Sequence, residues 1–323
     1  MIPALRRWLG SEGAAAAPAR AAVSREEAGR LMRQATWASV AVASILITVK
    51  TATWLLTGSI SILSSLVDSV MDVMASLVNL FAVHHALQPP DAEHRFGHGK
   101  AESLAGLGQA AFIAVSAIFI MFEAARRMVT PRPVDHADVG IAVMVFSIVL
   151  TIALVVFQRY VVRRTDSIAV GADALHYETD VLINASVIVS LVLSTWLGWH
   201  RADPLFGLAI AVYLLRGAWR IARRALDVLM DHEFANEDRD RIRDIVLAHP
   251  RVKGMHDLRT RSSGVQPFIQ LHLELDGDMP LRAAHEIADE VEARIKERYP
   301  GAEILIHQDP EGLIEEQPRF AQS

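Results

Sequence analysis

Up to about Met230, apolar residues come in long blocks separated by short polar breaks. From Glu233 to Ser323 they alternate with charged residues instead. A membrane-spanning helix needs about 20 mostly apolar residues, and six stretches meet or approach that length: 34–57, 60–87, 102–127, 137–162, 168–198 and 203–227. Beyond Asp231, DRDRIRDIVLAHP has a helical period, KGMHDLRTR and PFIQLHLELDG alternate as strands do, LRAAHEIADEVEARIKERYP is helical again, and AEILIHQDP closes as a strand. The order α-β-β-α-β predicts a small α+β domain with its helices on one face of a three-stranded sheet. In IQLHLEL, Ile269, Leu271, Leu273 and Leu275 are expected to face those helices, with His272 and Glu274 pointing the other way. The predicted fold is therefore a membrane α-helical bundle of six transmembrane helices plus a C-terminal cytoplasmic α+β domain. Its expected divisions are a cytoplasmic tail (1–33), the bundle (34–230), the α+β domain (231–310) and a C-terminal tail (311–323).

Composition agrees with a lipid-embedded chain: 52% of the 323 residues are hydrophobic and the mean hydropathy is +0.26, above an ordinary soluble domain. Arg20, Arg25, Arg30 and Arg33 precede the first block, Arg95 and Lys100 follow the second, Arg159, Arg163 and Arg164 the fourth, and Arg223 and Arg224 the sixth. By the positive-inside rule both termini are expected to be cytoplasmic; Arg126, Arg127 and Arg132 count the other way and are outnumbered. The first 33 residues lack an apolar core of signal-peptide length and are read as a basic cytoplasmic tail. A net charge of −5 leaves no basic footprint for nucleic acid, which is excluded as a partner. With no cysteine, any metal site must use His, Asp, Glu or backbone oxygen.

Against this background LVDSVMDVMASLVNL is anomalous, because Asp68 and Asp72 stand in an apolar run. A spacing of four puts both on one helix face, about 5–6 Å apart at Cβ, and charge at membrane depth is costly enough to mark functional or paired positions. Two bare carboxylates repel unless a cation sits between them. The fifth block repeats the spacing with His176 and Asp180. Three carboxylates and one imidazole can close a tetrahedron around a divalent ion such as zinc. Asn79 and Asn184, farther along the same segments, read as packing or water-bridging amides. His84 and His85, His136, His200, His232 and His249 read as solvated or interfacial. Ala101, Ala105 and Gly108 on the third block are small enough for close helix packing.

LVDSVMDVMASL, the loop QPPDAEHRFGHGKAESLA, ADALHYETDVLINA, HDLRTR, IQLHLEL and ILIHQDP, in that order, resemble the motifs of the cation diffusion facilitator family, particularly its bacterial zinc and iron efflux branch. The resemblance implies a homodimeric six-helix transporter, not an enzyme, that exchanges cytoplasmic divalent metal for protons. It also implies a metallochaperone-like cytoplasmic domain. It places the transport site at Asp68, Asp72, His176 and Asp180, with His on the fifth helix as in zinc- and cadmium-handling members and unlike the all-Asp manganese type. It implies a second metal position at Asp91, His94 and His98, although a loop of histidines is equally a solvated feature. It implies a cytoplasmic binuclear site at His256, His272, His285, His307 and Asp309, with Gln308 as a further oxygen donor. It also implies an ion pair between Lys100 and Asp231 that ties the membrane and cytoplasmic parts together. The expected location is the bacterial inner membrane, as a multi-pass protein in the lipid bilayer.

Metal binding requires deprotonated carboxylates and neutral imidazole, so metal and protons compete for one site. His176, whose free side chain titrates near about pH 6.5, and Asp72 are the expected proton-coupling residues. Zinc is the expected substrate, with cadmium and ferrous iron as alternatives. The competing reading is a non-transporting membrane sensor that binds zinc through its cytoplasmic domain. An intramembrane metallohydrolase is set aside because no HExxH occurs.

Overall fold

The computed structural model describes residues 24–58, 60–129, 138–197, 199 and 201–312. The expected N-terminal tail up to residue 23, His136, His200 and the C-terminal tail beyond residue 312 lie outside them. Six long helices come first: α1 (Arg25–Thr57), α2 (Ile60–Ala86), α3 (Lys100–Val129), α4 (Asp138–Thr165), α5 (Ile168–Leu197) and α6 (Ala202–Leu229). Even α2, the shortest at 27 residues, reaches about 40 Å at 1.5 Å per residue, beyond a hydrocarbon core of about 30 Å. Among the described residues, α1, α2, α3, α4 and α6 contain spans long and apolar enough to cross a membrane. The remaining helix, α5, carries Asp173, His176, Glu178 and Asp180.

α1 begins nine residues before the predicted start. Glu26 and Glu27 occupy its first turn, where the helix dipole favours negative charge, and Ala28, Leu31, Met32 and Ala35 are buried. Burial of that apolar stripe extends the helix through its arginines.

The chain divides into two compact units, one spanning Glu26–Leu226 and the other containing the residues from Asp227 onward. The first is apolar outside and buries a number of polar groups among its apolar packing residues. Met71, Met74, Val78 and Phe81 on α2 and Val115, Ile118, Phe119 and Phe122 on α3 are exposed, whereas Ser39, Ser69, Asp72, Ser76, Asn79, Gln158 and Asp173 are buried. This arrangement is expected where the solvent is hydrocarbon and polar groups must be satisfied within the bundle. Close packing on α3 runs through Gly106, Ala110, Ile113, Ala117 and Ala124 rather than through Gly108. A Cβ on Gly106 would lie 2.6 Å from Ile168 Cγ2, while nothing among the described residues stands within 4 Å of the same point at Gly108. The predicted stripe of Ala101, Ala105 and Gly108 is thus rotated away from the packed face. Gly217 on α6 similarly admits the Leu175 side chain, to within 2.6 Å of an added Cβ, and so lets α5 and α6 approach.

The second unit comprises α7 (Asn236–Leu247), β1 (Gly254–Ser263), β2 (Gln266–Leu275), α8 (Leu281–Arg298) and β3 (Glu303–Pro310). The sheet order is β1-β2-β3, with β1 and β2 antiparallel and β2 and β3 parallel. The parallel pairing follows from α8, which supplies the crossover. Ile269, Leu271, Leu273 and Leu275 are fully buried in one core with Ile242 and Val246 of α7 and Ile287, Val291 and Ile295 of α8. This leaves the opposite face of β2, with His272 and Glu274, free of the helices. Leu273→Ala should destabilise this unit by about 2–5 kcal/mol. Faster amide hydrogen exchange along β2 in the detergent-solubilised full chain would register the loss, and unchanged exchange would contradict the packing.

Candidate metal centres

In the bundle, Asp72 of α2 meets His176 and Asp180 of α5, one ligand atom from each lying within 4.8 Å of the others. His176 Nε2 is 3.0 Å from Asp72 Oδ1, and both side chains are only 12% exposed. Asn184 donates its amide to the Asp180 carbonyl at 2.8 Å, a local helix contact one turn away. Asp68, a turn before Asp72, is exposed and stands outside this group of three.

Sequence reasoning missed three features around this group. Lys50 of α1 donates to Ser69 Oγ at 2.7 Å and to the Ser65 carbonyl at 3.2 Å, and its charge acts on Asp72, Asp180 and Asp68. A lone lysine in ILITVKTATWLL was the available signal. Asp173, only 1% exposed, accepts from Ser39 Oγ at 2.6 Å, Gln158 Nε2 at 2.7 Å and Gln109 Nε2 at 3.4 Å. It therefore joins α5 to α1, α4 and α3. Glu178 forms a two-pronged pair with Arg159 at 2.5 and 2.6 Å and accepts from Tyr213 at 2.9 Å. Arg159 thus answers a half-buried acid on α5 besides contributing to the charge asymmetry along the chain.

A second group sits in the α2–α3 loop. Pro89 and Pro90 stop α2, and the loop then folds on Asp91, whose Oδ1 accepts the His94 N–H at 2.6 Å and the Glu93 N–H at 2.9 Å. The His94 N–H holds the Asp91 carboxyl below its ordinary range, with the Glu93 N–H and the nearby imidazoles adding to it. Gly97, at φ +77°, takes the left-handed conformation that brings the chain back to α3. His94 Nδ1 lies 3.4 Å from Asp91 Oδ1 and His98 Nε2 3.3 Å from Asp91 Oδ2, so Asp91, His94 and His98 form a second cluster with metal-ligand spacing.

The third lies on the open face of the small sheet, where register does the assembling. His256, His272 and His307 are paired across β1, β2 and β3. Two residues on, Gly254, Glu274 and Asp309 form the neighbouring row. His256, His272 and Asp309 offer ligand atoms within 4.8 Å. His272 Nδ1 is 2.8 Å from Asp309 Oδ2, His307 Nε2 is 3.2 Å from Asp309 Oδ1, and the His272 and His307 rings stand 4.7 Å apart. His285 is not brought to this row: it lies exposed on α8, 3.6 Å from Asp289. Glu274 was not anticipated as part of the cluster. Its Oε1 contacts His256 Nδ1 at 2.8 Å, which directs His256 Nε2, buried and without a hydrogen-bond partner among the described residues, toward Asp309 Oδ2 at 3.5 Å. Gly254 makes room for it, since a Cβ there would lie 2.5 Å from Glu274 Oε2. Asp231 accepts from Arg261 at 3.3 Å within its own unit.

A polytopic helical bundle that gathers acid and imidazole side chains among its apolar helices, joined in one chain to a small α+β domain, is compatible with a membrane transporter of metal cations. Comparison with known proteins agrees. The cation efflux transmembrane domain matches residues 36–230, and the cytoplasmic domain of cation efflux proteins matches residues 234–311. The chain is 50% identical over 286 residues to the cation-efflux pump FieF of Klebsiella pneumoniae, covering 88% of this chain and 95% of that one. It is 48% identical over 291 residues to FieF of Salmonella choleraesuis, covering 90% and 97%. The solved metal-bound C-terminal domain of the CzcD transporter from Thermotoga maritima is 29% identical, covering 25% of this chain and 100% of that one, with a TM-score of 0.23. The chain belongs to the cation diffusion facilitator family and is a metal-cation efflux transporter, not an enzyme.

A carboxylate that holds a ligand histidine in one tautomer typically contributes about 10–100-fold to metal affinity. Glu274→Ala should weaken metal binding at His256, His272 and Asp309 by that factor, measured by competition with a chromophoric chelator. Unchanged affinity would mean that Glu274 is a bystander.

Proposed function

We propose that this protein exports divalent metal, zinc in the first place, from the cytoplasm in exchange for protons. The observation that carries this reading is the convergence of Asp72, His176 and Asp180 within 4.8 Å between two helices of an apolar bundle. Carboxylate oxygen and imidazole nitrogen suit zinc and cadmium, and ferrous iron is also compatible with such a set. Three residues hold the ion, and Asp68 completes a tetrahedron when its helix turn closes on the cargo. A four-ligand set without thiolate suits an ion that must leave again.

The His176–Asp72 contact supports proton coupling. That contact holds a proton when no metal is present, and zinc enters only as the proton leaves. Alternation of the bundle between two openings then loads metal on the cytoplasmic side and releases it where protons are more abundant. Lys50 acts on the same carboxylates and stabilises them between loads.

Residues 231–310 serve as the cytoplasmic regulatory domain of a homodimer in the bacterial inner membrane, with both termini cytoplasmic. Metal at His256, His272, His307 and Asp309 favours one dimer arrangement and so biases the bundle. His285, exposed on α8, serves a second copy rather than its own sheet face.

Zinc flux into proteoliposomes, with and without an imposed pH gradient, tests the reading. Gradient-driven zinc entry should vanish in Asp72→Ala and in Asp180→Ala while both variants stay folded. Transport by either variant at the parent rate would refute the site. Binding at the sheet cluster without any flux would favour a membrane sensor.

A further inference from the structure

His85 lies in the last turn of α2, half-buried, rather than standing free in solvent. Its ring centroid is 4.6 Å from that of His98, with the planes 60° apart. His94 meets the same His98 ring from another direction, also at 4.6 Å and with the planes 48° apart. His98 is therefore flanked by two imidazoles, neither of them stacked flat on it. Its side chain is only 4% exposed, and its Nδ1 is buried without a hydrogen-bond partner among the described residues. A buried nitrogen left unpaired is costly, and native structures rarely leave one so.

Asp91, His94 and His98 supply three ligands, which leaves a zinc ion one position short of the closed four-coordinate arrangement of a retained metal. We propose that His85 supplies the fourth ligand, so that the loop centre of this protein is a closed set of three imidazoles and one carboxylate. The proposal rests on Asp91, His94 and His98 being a metal site. The ligand atoms already gathered within 4.8 Å belong to those three, and His85 joins them by side-chain rotation when the ion arrives. Two consequences follow from chemistry. A fourth protein ligand takes the position that water would otherwise occupy, so the ion is held more tightly than by three ligands alone. The metal also bonds the last turn of α2 to the loop that follows it, so occupancy at the loop restrains the helix that carries Asp72.

The test uses the full chain in detergent, with Asp72→Ala and Asp309→Ala as the background that removes the other two centres. Zinc affinity is read by chelator competition and the number of coordinating imidazoles by X-ray absorption. The background protein should show three imidazoles. His85→Ala should show two and bind zinc more weakly, by at least the about 10–100-fold that loss of a mere supporting group costs. His85→Phe keeps a ring against His98, so an equal loss there assigns the effect to the nitrogen rather than to packing. If both His85 variants keep the background affinity and imidazole count while Asp91→Ala and His98→Ala lose zinc, the fourth-ligand proposal is overturned and the loop site stands. If Asp91→Ala and His98→Ala are silent as well, the loop site itself falls and His85 falls with it.

Discussion

A carboxylate inside an apolar bundle must be answered by a positive or hydrogen-donating neighbour, because hydrocarbon offers it nothing. The bundle meets that demand in different ways. Glu178 receives the planar fork of Arg159 and the Tyr213 hydroxyl. Asp173 receives neutral donors from Ser39, Gln158 and Gln109. Glu102 accepts the Ser167 hydroxyl at 2.5 Å and the Ala169 N–H at 3.3 Å, which secures the start of α5. Each of these is settled by fixed partners. Asp72 and Asp180 differ, since they face each other and a single imidazole, with Lys50 as the nearby cation. Theirs is the arrangement in which an arriving divalent cation most improves the electrostatics.

The fixed pairs also locate the variable one. Asp173 stands three residues before His176, and its donors come from α1, α3 and α4. Tyr177, the neighbour of His176, shares a 2.7 Å hydrogen bond with Ser76 of α2, four residues after Asp72. The helix that presents His176 and Asp180 is thus tied on either side of the histidine, which fixes the rotation of α5 about its own axis. A ligand pair at i and i+4 faces its counterpart only if that rotation is set.

In the small unit, one sheet performs two tasks by its pleat. Alternate residues of β2 bury Ile269, Leu271, Leu273 and Leu275, and the intervening ones set His272 and Glu274 beside His256, His307 and Asp309. Because the side-chain period is two, a slip of one residue in β2 would put histidine in the core and leucine among the ligands. The hydrophobic face thereby enforces the register of the polar one.

Much of this was legible in the residues themselves. Six long helices followed by α-β-β-α-β could be read from periodicity, because burial and lipid contact both impose it locally. Asp68, Asp72, His176 and Asp180 stood out because charge in an apolar run is conspicuous. Lys50 and Asp173 were equally anomalous but had no matched i,i+4 partner to draw notice. Their roles depend on neighbours 19 and 134 positions away in Ser69 and Ser39.

Composition and spacing therefore determined the membrane character, the order of elements and the chemistry of the candidate ligands, all of which are properties of short segments. Tertiary structure alone decided that Asp68 is exposed outside the group of Asp72, His176 and Asp180, that His285 lies away from the sheet row, and that Glu274 and His85 stand beside candidate ligand histidines. The reason is physical. Helical and strand periods fix which residues share a face of one element, whereas the rotation and register that bring two faces together are set by packing over the whole fold.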